Sequence, residues 1–542
     1  MITWIDFVLL GLYALGMIGI AIYTHNRSKS VNDFLLAGKK GLNGWMSAFA
    51  YGTTYFSAVI FIGYAGKFGS AFGLASIWIG VGNAIIGSLF AWMVLAKRTK
   101  NMTHNLNSKT MPDFFEKRYG SQRLKLVSAI IIFIFLIPYS ASVYSGLSAL
   151  FETVFRVDGW IIMIALAALT AVYLFFGGYF ATALSDFIQG IIMLCGVVAM
   201  VIFFLANSNV GWDLSELMSN VDLNLFIFDH NPSGKWLYDD GMSLMSLILL
   251  TSFGVWALPQ TVHKYYAIRD DKAIKQGTIV STAFALIIGL GAYFTGALYH
   301  FFKDLFPGVI NPDYFVPNMM TLIPTGLIGV LAVLILSASM STLSSVSLAS
   351  ASVVAVDIYK GKIDKKASDK KVNWTMRILC LVFIVISVVL AVLNEEFGLS
   401  AIAYMMGLSW GVLAGCFIGP FVLGLLWKKV SRPAVWTSVI GCLVLTATLI
   451  VVFGYDKNNW ACDFGRALQD GFGCSPLIGV ICMAFSMLST FVVSLFTKAP
   501  NAALVETAFA KAKEAEAAER TKETAQETAQ EKTQEKEVGE TA

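Results

Sequence analysis

Apolar residues in this chain come in long runs of about twenty, each enough for a helix to cross a ~30 Å hydrocarbon core. Marking those runs by their polar boundaries predicts about thirteen spans. They fall near residues 3–24, 42–67, 74–96, 124–153, 159–177, 181–206, 242–263, 275–301, 324–356, 374–393, 399–427, 434–454 and 475–497. The fold class is all-α and polytopic, because only helices and closed barrels satisfy their backbone in lipid.

Composition agrees. Of 542 residues, 57% are hydrophobic and 14% charged, against the roughly 25% charged of soluble domains, and the mean hydropathy is +0.69. A soluble fold is excluded. The net charge of +4 does not imply nucleic acid, since most Lys and Arg lie in short loops between apolar segments. Basic residues near span ends stay cytoplasmic. That rule places inside the loops carrying Arg27, Lys29, Lys39 and Lys40, then Lys97 to Lys125, Lys264 to Lys272, Lys360 to Lys371 and Lys428 to Arg432. The acidic stretches 207–241 and 394–398 then face outward, with the N-terminus outside and the C-terminus cytoplasmic in a plasma (inner) membrane. The first segment carries Asp6 early and lacks a basic leader, so it reads as a retained helix. The five histidines show no metal-ligand spacing, and Cys462 and Cys474 share one polar loop where a disulfide is one of two open readings. From about Lys498 the chain turns to Ala, Glu, Lys, Gln and Thr, a polar tail with little to bury.

Candidate chemistry sits where spans are interrupted, because unwound backbone in a membrane needs protein or a watery cavity around it. The second span carries Gly52-Thr53-Thr54-Tyr55-Phe56-Ser57 and the seventh carries Thr251 to Gln260 with Gly254 and Pro259. Five spans separate them, the offset of a five-plus-five inverted repeat. Close packing of small residues is the competing reading of each stretch. The ninth span is dense in hydroxyls from Ser337 to Ser345. Ser341, Ser344 and Ser345 share one helix face, as a hard monovalent cation would want and as a Ser-rich packing seam would also show. Asp186 is the one acidic residue read well inside a span, with no basic partner expected in the apolar interior. A bound cation is its natural partner, a water-exposed interfacial position the alternative.

These stretches, with Asp33-Phe34-Leu35-Leu36-Ala37-Gly38-Lys39, Gly177-Gly178, Ser185-Asp186-Phe187-Ile188-Gln189 and Met340-Ser341-Thr342-Leu343-Ser344 running to Asp357-Ile358-Tyr359-Lys360, resemble the sodium/solute symporter family with its LeuT-type core. The resemblance covers roughly residues 1–430. It implies a sodium-coupled symporter working by alternating access in the cell membrane, with sodium and a small solute as partners. A first sodium site is implied at the carbonyls of Thr53, Phe56 and Ala338 and the hydroxyls of Ser341 and Thr342. A second is implied at Asp186, Ser344 and Ser345 with Ser341, so two Na+ are expected. Solute contacts are expected at Thr54, Tyr55, Ser57, Ile60, Asn83, Thr251, Val255, Trp256 and Trp410. Tyr55 stands where proline carriers of the family have Asp, and Val59 and Ile60 are unlike a sugar pocket. Those two points favour an organic acid such as pantothenate or a monocarboxylate, or an amino acid, over proline, sialic acid, sugar or a sensor role. The implied organisation is an extra helix and basic loop (1–41), first repeat (42–206), extracellular loop (207–241), second repeat (242–430), two further helices (431–497) and the tail (498–542). No catalytic constellation supports an enzyme.

Overall fold

The computed structural model describes residues 3–25, 31–36, 41–219, 240–324, 326–398, 402–458 and 460–510. Arg27, Lys29, Lys40, the Ala37-Gly38-Lys39 end of the early motif, most of the 207–241 loop and the tail beyond 510 lie outside that set. The described residues are helical apart from loops and one isolated parallel bridge between Leu42 and Ile268.

Among the described residues, eleven helices are long and apolar enough to cross a membrane, against the thirteen spans expected. The difference arises in two runs, Val59–Asn105 with 47 residues and Gly159–Ala206 with 48. A straight 48-residue helix would reach about 72 Å, over twice the hydrocarbon thickness. Both runs bend at a glycine in the left-handed region, Gly73 at φ +52° and Gly178 at φ +63°. Gly178 falls at the boundary expected between the fifth and sixth spans. A Cβ there would lie 2.7 Å from the Phe34 ring, so neither the conformation nor the space admits a side chain.

The helix Ile328–Ser352 runs through the middle, and its span is 89% buried, whereas Trp4–Thr24 at the periphery is 17% buried. Close approaches hold the centre together: a Cβ on Gly80 would lie 2.6 Å from Gly289, on the helix Asp271–Ala297. The start of the tail folds as Ala502–Phe509 and docks, with Asn105 Nδ2 donating to the carbonyls of Ala508 at 3.3 Å and Ala510 at 2.9 Å. Cys462 and Cys474 are free thiols.

Candidate functional site

Both interrupted spans are broken helices. The first consists of Gly44–Tyr55 and Val59–Gly69, the second of Asp240–Gly254 and Pro259–Tyr266. Phe56 is extended at φ −109° and ψ 119°, which ends the first half-helix. Ser57 Oγ then accepts from the Val59 N–H at 3.3 Å and caps the second half. In the other span Gly254 ends one half and Pro259 opens the next, where its missing N–H costs nothing. The Leu42 N–H donates to Ala267 at 2.8 Å and Arg269 N–H to Leu42 at 3.1 Å, tying the entry of one broken helix to the exit of the other.

The first break meets the hydroxyl face of Ile328–Ser352. Ser341 Oγ lies 3.0 Å from the Thr53 carbonyl and 3.0 Å from that of Ala338, and Thr342 Oγ1 is 3.3 Å from the Thr53 carbonyl. Four of the five residues expected at the first sodium site are thus brought together, all fully buried, with Phe56 at the break beside them. The cluster is neutral and made only of oxygens.

The second group is arranged differently from expectation. Asp186 is buried, but its partner is a lysine: Lys264 Nζ lies 3.2 Å from Asp186 Oδ2 and donates to Ser345 Oγ at 2.8 Å. The reading that no basic side chain reaches Asp186 is overturned. Lys264, 2% exposed, belongs to the half-helix Pro259–Tyr266 and not to a cytoplasmic loop. Its ammonium also sits 5.2 Å from the centre of the Tyr179 ring. Ser345 Oγ is 2.9 Å from Thr54 Oγ1, so a polar chain runs from Asp186 through Lys264 and Ser345 to the first broken helix. Ser344 Oγ donates to the Ser341 carbonyl at 3.0 Å. Nor is Asp186 alone as a buried acid: Asp357 is 2% exposed, accepting from Thr110 Oγ1 at 2.6 Å and 3.4 Å from Lys125 Nζ.

Between the broken helices lies a cavity of about 10 Å³, lined by Tyr55, Phe56, Ser57, Ile60, Tyr64, Asn83, Thr251, Tyr293, Met406 and Trp410. That is room for about one water. Six of the nine residues expected to contact solute line it. Thr54 instead bonds Ser345 and the Ala50 carbonyl. Trp256 donates to the Ile86 carbonyl at 3.0 Å and faces a separate apolar cavity with Phe253 and Met483, while Val255 is buried off the lining. Sequence reasoning missed Tyr64, Tyr293 and Met406, whose membrane-helix setting carries no local signal. Tyr55 spans the cavity, its hydroxyl donating to the Thr251 carbonyl at 2.7 Å and its ring 6.0 Å from that of Trp410. Thr251 Oγ1 lies 2.7 Å from Asn83 Oδ1.

One ionic cluster and one further buried acid lie beyond the site. Lys125 Nζ contacts Asp113 and Glu116 at 2.8 Å each. Burial pushes the Asp113 carboxyl up, but Lys125 and Lys117 beside it hold it below the ordinary value. Elsewhere Asp313 accepts the N–H of Ile402, at the start of the helix Ile402–Ile418, at 3.2 Å, and burial raises it to about 6 against the opposing effects of that bond and of Lys67.

The chain is similar to proteins of known role along nearly its whole length. It is 30% identical over 504 residues to the osmoregulated proline transporter OpuE of Bacillus subtilis (strain 168), covering 91% of this chain and 94% of that protein. It is 28% identical to a sodium/proline symporter of Haemophilus influenzae, covering 93% and 97%. Among solved structures, a Na+-coupled sialic acid symporter in a substrate-bound outward-open state superposes with a TM-score of 0.75 at 16% identity, over 92% of this chain and 99% of that one. That likeness establishes the five-plus-five inverted-repeat fold. The sodium:solute symporter family profile matches residues 34–441, and this chain, a multi-pass membrane transporter, belongs to that family.

Proposed function

We propose that the protein couples Na+ entry to uptake of a small zwitterionic amino acid, with proline the first solute to test. The observation that carries the reading is the buried oxygen cluster of Ser341, Thr342, Ala338 and Thr53 at the first helix break. Hydroxyls and freed carbonyls replace the water around a monovalent cation without stranding a protein charge. Relatives named as proline transporters, aligned over nine-tenths of the chain, favour an amino acid over the pantothenate or monocarboxylate expected from the Thr-Tyr-Phe-Ser stretch. Tyr55 replaces the acid of proline carriers, so the solute ammonium meets the ring faces of Tyr55 and Trp410. The carboxylate finds the N-terminal amides of Val59–Gly69 and Trp410 Nε1, a donor with no partner among the described residues.

With room for about one water, the cavity must open to admit solute, as alternating access requires. Basic loops face the cytoplasm on this account, with the N-terminus outside and the C-terminus inside. Each Na+ crossing ~100 mV contributes about 2.3 kcal/mol, roughly fiftyfold accumulation. The test is uptake of labelled L-proline, alanine, betaine, pantothenate, lactate and sialic acid into proteoliposomes. Accumulation of an amino acid only with an inward Na+ gradient supports the reading; uptake indifferent to Na+ refutes it.

A further inference from the structure

The position where the resemblance implies a second sodium ion is already held by a protein cation. Lys264 Nζ is 3.2 Å from Asp186 Oδ2, 2.8 Å from Ser345 Oγ and 5.2 Å from the Tyr179 ring centre, and all four side chains are buried. These are two of the three residues that, besides Ser341, would make that site. An ammonium with donors toward an acid and a hydroxyl, over an aromatic face, satisfies the same negative charge an ion would.

We propose that Lys264 is a tethered cation that takes the place of the second Na+, so that one Na+ moves per solute. This inference rests on the sodium-coupled reading above and goes beyond it by fixing the charge moved. A free Na+ bound to Asp186 would sit about 4 Å from the ammonium, and at an effective dielectric constant of about 20 that repulsion weakens its binding by roughly three orders of magnitude. The ammonium cannot leave, so it contributes no transported charge. It does reach the first site: Ser345 Oγ is 2.9 Å from Thr54 Oγ1, and the adjacent Thr53 supplies the carbonyl met by Ser341 and Thr342. Lys264 arises from the second broken helix, Asp186 from Gly159–Ala206 and Ser345 from Ile328–Ser352. The ammonium therefore joins three helices whose relative positions alternating access would change.

The experiment is equilibrium binding of ²²Na+ to the purified full chain, which needs no knowledge of the solute. Wild type is expected to bind one Na+ per chain with a Hill coefficient of one. Lys264→Ala leaves Asp186 and three serines around an empty position, so binding should rise to two ions with a coefficient approaching two. The double variant Asp186→Asn with Lys264→Met removes both charges together and should return to one ion, which keeps the test alive if the single variant fails to fold. Two ions bound per wild-type chain overturns the tethered cation and leaves the sodium-coupled reading standing. One ion bound to folded Lys264→Ala also overturns it. No sodium bound to wild type overturns both.

Discussion

Ser341→Ala isolates the first oxygen cluster. The hydroxyl lies 3.0 Å from the carbonyls of Thr53 and Ala338. On the proposed function it becomes a ligand when an ion binds. A polar contact to a charge is worth about 1.5–3 kcal/mol, and the neutral hydrogen bond it replaces about 1 kcal/mol. The variant loses the difference, roughly 0.5–2 kcal/mol, or about a two- to thirtyfold rise in the Na+ dissociation constant. The readout is melting temperature against Na+ at constant ionic strength, since a ligand bound only by the folded state stabilises it by about 2.7 kcal/mol at a hundred times its dissociation constant. The rise in melting temperature should begin at a higher Na+ concentration and keep its slope against the logarithm of concentration. Ser339→Ala is the control: Ser339 is equally buried on the same helix, but its hydroxyl returns to the Ile335 carbonyl at 2.7 Å. It should shift the titration by less than about twofold. An unmoved curve for Ser341→Ala refutes the assignment, and equal shifts in both variants would mean the helix and not the hydroxyl responds.

Other substitutions probe the neighbouring geometry. Tyr55→Phe removes the bond to the Thr251 carbonyl at 2.7 Å, a loss of about 1 kcal/mol. The half-saturation concentration for L-proline should fall about fivefold, since opening no longer breaks that bond, and an unchanged value would show that this contact does not hold the pocket shut. Gly178→Ala should cost about 1–3 kcal/mol, since φ +63° with ψ −163° is accessible essentially only to glycine. Adding Phe34→Leu relieves the 2.7 Å contact but not the backbone strain, so full recovery of the melting temperature would locate the cost in the ring instead. Asp313, raised to about 6 from 3.8, binds its proton more tightly folded than unfolded. Its contribution to stability therefore grows as pH falls from 6 to 4, by about 3 kcal/mol. Asp313→Asn keeps the acceptor for the Ile402 N–H and carries no charge. It should melt above wild type at pH 7.5 and level with it near pH 4; a pH-independent difference would remove the carboxyl as cause.

What could be read in the sequence was whatever leaves a mark in local chemistry. Gly52 to Ser57 and Gly254 to Pro259 interrupt apolar runs with residues that end or restart helices, and both breaks are where the pattern places them. The hydroxyl density of Ser337 to Ser345 likewise marked the helix that meets the first break. Helix count turns on Gly73 and Gly178, where a positive φ turns the backbone inside an apolar run, so that each of the two long runs holds two of the expected spans. Part of the aromatic lining left no mark, because Tyr64 and Tyr293 look like any membrane-helix aromatics until helices converge. Lys264 shows the sharpest divergence. Hydropathy ends the seventh span at residue 263 and assigns the next charge to a loop, a rule built for continuous helices whose ends reach water. The break restarts the helix at Pro259, and the second half carries Lys264 inside to Asp186 and Ser345. Unwinding that frees carbonyls for one cation thus also sets the depth at which a protein cation can meet a buried acid.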